Sequence, residues 1–310
     1  PTETAALGTV RKLNVLFGDG VALEEIRRIA LDDQALVEQR RAALLGLIEA
    51  KDPQLKAVCE KLLTVRGVTM EAIQGLTQFD QDGVAKRILE RYPQLYPHER
   101  PAVIVALVSR PRFAWELLQA IEAGAGRDIP VLIGTNQDES SLFMLGSSED
   151  STAETQSKAY GSSDLHEHYA RLFPSFSPRD IAVRMATDFS FKLPAIRLAE
   201  LRAETGSETY VYQFNWASRI PGLGATHALE IPFVFNMLHA PGVTAFIGPG
   251  PLPQSLAGHM HDIWINFING QAPEWPSYQR ADRSVMHFDE TSHLENNDYE
   301  DVIGLWAGLR

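Results

Sequence analysis

The 310-residue sequence predicts two regions of different fold class: an α-helical repeat region over residues 1–127 and an α/β layer over residues 128–310. Three observations carry this reading. From Val21 to Ala123 apolar residues recur at three- and four-residue spacing and strand signals are nearly absent. At residues 129–134 a continuous apolar run ending in glycine breaks that rhythm, so the boundary is placed at about Gly124 to Arg127. Beyond it, short apolar and aromatic runs alternate with long helical stretches, the pattern of a layered α/β fold with mostly parallel pairing.

The helical region opens on Leu23, Ile26, Ile29 and Ala30, one face of a first helix. A weak internal repeat follows. Leu45-Gly46-Leu47-Ile48, Gln74-Gly75-Leu76-Thr77 and Val105-Ala106-Leu107-Val108 recur at nearly even intervals. The units end in breaker chemistry, at Lys51-Asp52-Pro53, Asp80-Gln81-Asp82-Gly83 and Arg110-Pro111. Pro97 and Pro101 fit helix starts, where a missing N–H does no harm. Over about residues 15–126 this pattern resembles HEAT-type repeats, which implies a curved helical scaffold whose exposed face binds a protein partner. An ordinary helical bundle has the same periodicity. Cys59, in KAVCEKLL, belongs to a helix face.

In the α/β region the strands are expected at Val131 to Thr135, Thr209 to Phe214 and Ser284 to Phe288. Helices are expected at about Leu165 to Phe173, Pro178 to Glu204 and Gln254 to Asn269. Val131-Leu132-Ile133 has no polar alternation, as befits a strand covered on both faces in the middle of a parallel sheet. Asp180, Arg184, Asp188 and Lys192 follow one another at four-residue spacing and read as solvated ion-pair partners.

A net charge of −12 and a pI near 5.2 repel phosphate backbones, and no basic run is interleaved with aromatics, so nucleic acid is not an expected partner. No apolar stretch approaches the roughly 20 residues of a membrane helix, and the chain reads as soluble, its compartment unassigned. It opens on Pro1, which suggests a natural start further upstream. A single cysteine excludes an internal disulfide. His259 and His261, like His166 and His168, stand two residues apart on helices and point to different faces, so no metal site is expected. Gly18-Asp19-Gly20 lacks the third glycine of a dinucleotide loop, and no cofactor is expected either.

Three separated blocks carry a more specific signal. They are IPVLIGTNQDESSLF at 129–143, GATHALEIPFVF at 224–235, and a closing series of Met260, Asp262, Trp264, Phe267, Gly270, Pro273, Trp275, Pro276 and Tyr278. In this order they resemble the C-terminal part of a type B carboxylesterase. The resemblance implies an incomplete α/β-hydrolase fold over 128–310, with Glu139 as the acid and His227 as the base of a Ser, Glu, His triad. In that chemistry the histidine takes the serine proton and returns it to the leaving alcohol, while the carboxylate holds the imidazole and stabilises its cation. Outside these blocks the two residues would read as a turn carboxylate and a loop histidine. Ser140 and Ala228 stand where the family often has glycine.

The nucleophile is not found. The elbow G-x-S-x-G occurs nowhere: Gly146 and Ser148 are followed by Asp150, and Gly161 and Ser163 by Leu165. No Gly-Gly pair of an oxyanion loop occurs, and helical sequence stands where the family carries most of its sheet. The expectation is a chain that is inactive alone and takes an ester substrate only when a serine-bearing segment is supplied. The alternatives are a non-catalytic HEAT-type scaffold or protein-binding module, or a fragment or fusion of two unrelated genes.

Overall fold

A computed structural model describes residues 20–146, 152–297 and 299–309; Gly18, Asp19, Ser148, Asp150 and the start of the repeat region lie outside them. The chain divides into two compact units between Ala123 and Gly124.

The first unit is helical throughout its described residues: α1 (Gly20–Leu31), α2 (Val37–Glu49), α3 (Leu55–Leu62), α4 (Thr69–Leu76), α5 (Val84–Arg91), α6 (Arg100–Val108) and α7 (Pro111–Glu122). Pro101 and Pro111 sit in the first turns of α6 and α7, where no N–H partner is lost. Leu44, Leu47, Val58, Leu62, Ile73, Leu76, Ile88, Val103, Leu107 and Phe113 form one buried core. Buried Cys59 on α3 faces Gly75 on α4, where an added Cβ would lie 2.4 Å from its Sγ. Polar contacts link residues about one interval apart: Arg41 Nε donates to Glu71 at 2.7 Å in an ion pair, and Glu116 accepts hydrogen bonds from the backbone N–H groups of Gly83 and Lys86.

The second unit is built on a four-stranded sheet of β1 (Val131–Asn136), β2 (Thr209–Phe214), β3 (Val285–Phe288) and β4 (His293–Glu295), in that order. β1, β2 and β3 run parallel, with Val131 beside Thr209 and Tyr212 beside Met286, while β4 turns back antiparallel on β3 with His293 opposite His287. The helices are α8 (Thr152–Ala159), α9 (Leu165–Leu172), α10 (Pro178–Thr187), α11 (Leu193–Glu204), α12 (Ile231–Val234), α13 (Val243–Ile247), α14 (Gln254–Ile268) and α15 (Glu300–Leu305). Among the described residues no helix is long and apolar enough to cross a membrane.

Two expectations are corrected here. β1 is an edge strand among the described residues, and its first four residues are only half buried, so its unbroken apolar run does not mark the middle of this sheet. Asp188 and Lys192 are buried, not solvated. A π-helical turn over Asp188–Lys192 joins α10 to α11 there, and both of its charged ends turn inward to polar partners. Lys192 Nζ reaches Gln213 Oε1 on β2, and Asp188 accepts from Tyr169 Oη at 2.6 Å.

One sheet face carries Tyr210, Phe214, Met286 and Phe288 against Ala257, Met260 and Trp275. The other carries Val211 and Val285 against Ile196, Ala199 and Tyr278. Gly134 on β1 is required by close approach, because a Cβ would meet the Tyr212 ring at 2.4 Å. Arg202 ties the entry of β1 to the sheet, donating to Ile129 O at 2.7 Å and to Thr209 Oγ1 at 2.9 Å.

Candidate active site

At the C-terminal end of β1 the chain turns into a single 3-10 turn, Glu139–Ser141, all three residues buried. The loop after β2 returns to the same place. Residues of the two segments are stitched together by hydrogen bonds spanning more than eighty positions of sequence. Asp138 N–H donates to Ala225 O at 3.0 Å, and Ala225 N–H donates to Asp138 Oδ2 at 2.9 Å. Ser141 Oγ donates to Leu223 O and lies 2.7 Å from Thr226 Oγ1, which also accepts from Leu142 N–H at 3.1 Å. Asn136 Nδ2 donates to Thr226 O at 2.6 Å and to Glu230 Oε2 at 2.5 Å.

Between these stitches the structure brings Glu139 and His227 together, with His227 Nδ1 2.7 Å from Glu139 Oε2. The other carboxylate oxygen accepts from Asn136 N–H at 2.8 Å. Glu139 is 6% exposed, whereas the His227 side chain is 43% exposed between the rings of Phe143 and Phe191, each centroid 5.4 Å away. Burial raises the Glu139 carboxyl above its ordinary value; the bonds from Asn136 and His227 oppose that shift, and the Glu230 charge adds to it. With a carboxylate at Nδ1, the proton of neutral imidazole belongs on Nδ1, and Nε2 presents a lone pair. The buried acid thus holds a half-exposed imidazole in one orientation.

The two residues that depart from glycine behave differently. Ser140 keeps a negative φ and donates its N–H to Thr187 Oγ1 at 3.1 Å. Ala228 adopts φ 64°, a left-handed conformation in which glycine would be unstrained. Gly224, at φ 58°, cannot carry a side chain at all, since a Cβ would lie 2.3 Å from Asp138 Oδ2.

The remaining histidines divide. His259 Nε2 lies 2.7 Å from Glu274, and His261 Nδ1 is 2.9 Å from Val234 O, so this pair does not converge; His168 lies beside Asp164 and Arg171. Among the described residues His287, His293 and Glu295 do converge, with one donor atom from each within 4.8 Å of the others. The sequence reading singled out none of the three, although His293-Leu294-Glu295 has the alternation that puts two ligands on one strand face. Asn136, Ser141, Thr226 and Glu230 were also passed over, though all lie inside the blocks already quoted.

An acid and a histidine on loops beyond the carboxyl ends of parallel strands define a hydrolase-like α/β layer. The carboxylesterase family profile matches residues 48–306, and the chain belongs to that family. The match begins inside α2, so it reaches much further upstream than the blocks read from sequence. Among curated proteins the chain is 30% identical to the para-nitrobenzyl esterase of Bacillus subtilis over 188 residues, 58% of this chain and 38% of that protein. It is 29% identical to the fumonisin B1 esterase of Sphingopyxis macrogoltabida over 182 residues, 53% of this chain and 33% of that protein. The chain therefore spans about a third of the length of these relatives. Among solved structures, a Geobacillus stearothermophilus carboxylesterase superposes with a TM-score of 0.53 at 24% identity, over 87% of this chain and 68% of that one. A thermophilic pNB esterase gives a TM-score of 0.51 at 21% identity, over 87% and 67%. Both likenesses support the α/β-hydrolase-like fold.

Proposed function

We propose that the second unit carries the acid and base of a serine carboxylesterase site, Glu139 and His227, and that the nucleophile and oxyanion donors come from a segment outside this sequence. The observation that carries this reading is the 2.7 Å contact of His227 with a buried carboxylate, locked by hydrogen bonds on both sides. In this reading Nε2 of His227 takes a serine proton, an acyl-enzyme forms, and water releases the acid. Removing the nucleophile from such a triad lowers turnover by about a millionfold, so the chain alone is an inactive ester hydrolase.

The test has two arms. The purified chain alone is exposed to an organophosphonate probe, and no labelled serine is expected by mass spectrometry. The chain is then refolded with the serine-bearing upstream part of the Bacillus subtilis relative and given a para-nitrophenyl ester. Hydrolysis that disappears on His227→Ala supports the assignment; a labelled serine in the first arm refutes it.

A second reading rests on the first unit. Charged pairs that join successive intervals, such as Arg41 with Glu71 and Arg112 with Asp82, are what stacked helical repeats produce, and they support a HEAT-type array that binds a protein. Scanning Ala substitution of its exposed face against binding of co-purified proteins tests it.

A further inference from the structure

We propose that the face of the β3–β4 hairpin bearing His287, His293 and Glu295 is a binding site for a zinc-class divalent cation. The antiparallel register sets His287 directly opposite His293, and Glu295 stands two residues further along β4, so all three side chains leave the same face. His287 Nε2 is 3.6 Å and His293 Nε2 is 3.9 Å from Glu295 Oε2, and the two imidazoles stack with centroids 5.2 Å apart. Two imidazole nitrogens and a carboxylate oxygen form the donor set of open zinc sites. Bonds of about 2.0–2.1 Å require these donors to draw closer. His293 and Glu295 are exposed and can close by changing rotamer, whereas His287 is buried and supplies the fixed end.

The surroundings of His287 specify what binding must do. Lys192 Nζ can only donate, so Gln213 turns its Oε1 to it; Gln213 Nε2 then donates to Asn215 Oδ1 at 2.7 Å, and Asn215 Nδ2 donates to His287 Nδ1 at 2.8 Å. This relay makes Nδ1 an acceptor and leaves the proton on Nε2. A cation at Nε2 moves that proton to Nδ1, and Asn215 must then turn its amide over to accept it. One buried hydrogen bond, from Gln213 to Asn215, is exchanged for a metal–ligand bond. A carboxylate at position 215 would accept from Nδ1–H without that exchange, as carboxylates behind metal-bound histidines do.

Titration of the metal-free full chain with zinc chloride by calorimetry tests the site. One equivalent per chain is expected. His293→Ala and Glu295→Ala should each weaken binding at least about tenfold, with the circular dichroism spectrum unchanged, and Asn215→Asp should tighten it about tenfold. His259→Ala, which removes the partner of Glu274, should change nothing. The proposal fails if zinc does not bind, if binding survives His293→Ala and Glu295→Ala, or if it is lost in His259→Ala.

Discussion

At the scale of single residues, the raised Glu139 carboxyl makes the acid–histidine pair readable by titration. Its folded value lies above the ordinary 4.5, so the folded chain holds this proton more tightly than the unfolded one. Its contribution therefore favours folding below pH 4.5 and is lost as pH rises through the raised folded value. Glu139→Gln should flatten that part of the stability–pH curve in urea titrations. Two neighbours should move the Glu139 midpoint in opposite directions, followed by carbon-13 NMR of its carboxyl. His227→Ala removes a partner that holds it down and should raise it; Glu230→Gln removes a like charge and should lower it. A midpoint unmoved by His227→Ala would mean that the 2.7 Å contact does not exist in solution. Ala228, left-handed at φ 64°, gives an independent check: Ala228→Gly should raise stability by roughly 1 kcal/mol, seen as a higher urea midpoint. That Glu139 and His227 meet was legible in the sequence because each sits in a long matching block. Asn136, Ser141, Thr226 and Glu230 were not, because their roles exist only when loops more than eighty residues apart meet, and nothing in local pattern announces that meeting.

At the scale of elements, the strands and long helices of the second unit were legible because their periodicities are clean and their ends carry breakers. The exceptions have physical causes. β4 is three residues long, shorter than the run from which a strand is read, so its His-Leu-Glu alternation does not stand out, and the π turn between α10 and α11 has no signature in a spacing rule that assumes α-helical phase throughout. In the first unit the seam between α3 and α4 depends on the absence of one side chain. Gly75 faces Cys59 Sγ, and Ile48 Cγ1 lies 3.3 Å from the place of a Cβ. Gly75→Ala should therefore destabilise the helical unit by about 1–3 kcal/mol through overpacking. Cys59→Ala frees part of that space, so the double variant should be less destabilised than the two single changes summed, as contacting residues are coupled. Additivity in thermal melts would show that the two helices have separated enough to admit the methyl group. The Cys59 thiol itself, pushed up to about 12 by burial, should stay inert to alkylating reagents until the unit unfolds.

At the scale of the whole molecule, β1 poses the open question. It pairs with β2 on one side, and among the described residues no strand lies on its other side, yet Val131-Leu132-Ile133 has the unbroken apolar composition of a strand flanked on both. The proposed function, in which a segment outside this sequence completes the site, would have that segment supply the strands that extend this sheet. A row of unpaired N–H and C=O groups on an apolar edge invites pairing with another chain. The second unit should therefore associate when expressed alone, and the proper fragment is 124–310, because Arg202 also reaches Gly126 O, at 3.4 Å, upstream of the strand. The helical unit, 20–123, has its own continuous core and no strand edge, so alone it should be soluble, monomeric and helical by circular dichroism. Light scattering on the two fragments separates the cases. Association of 124–310 that is relieved by adding the serine-bearing part of a relative would mean that the sheet lacks strands and accepts them. A monomeric 124–310 that melts cooperatively would mean that this unit has closed its own core around four strands, and the acid–histidine pair would then be a self-sufficient structural feature with no call for a missing partner.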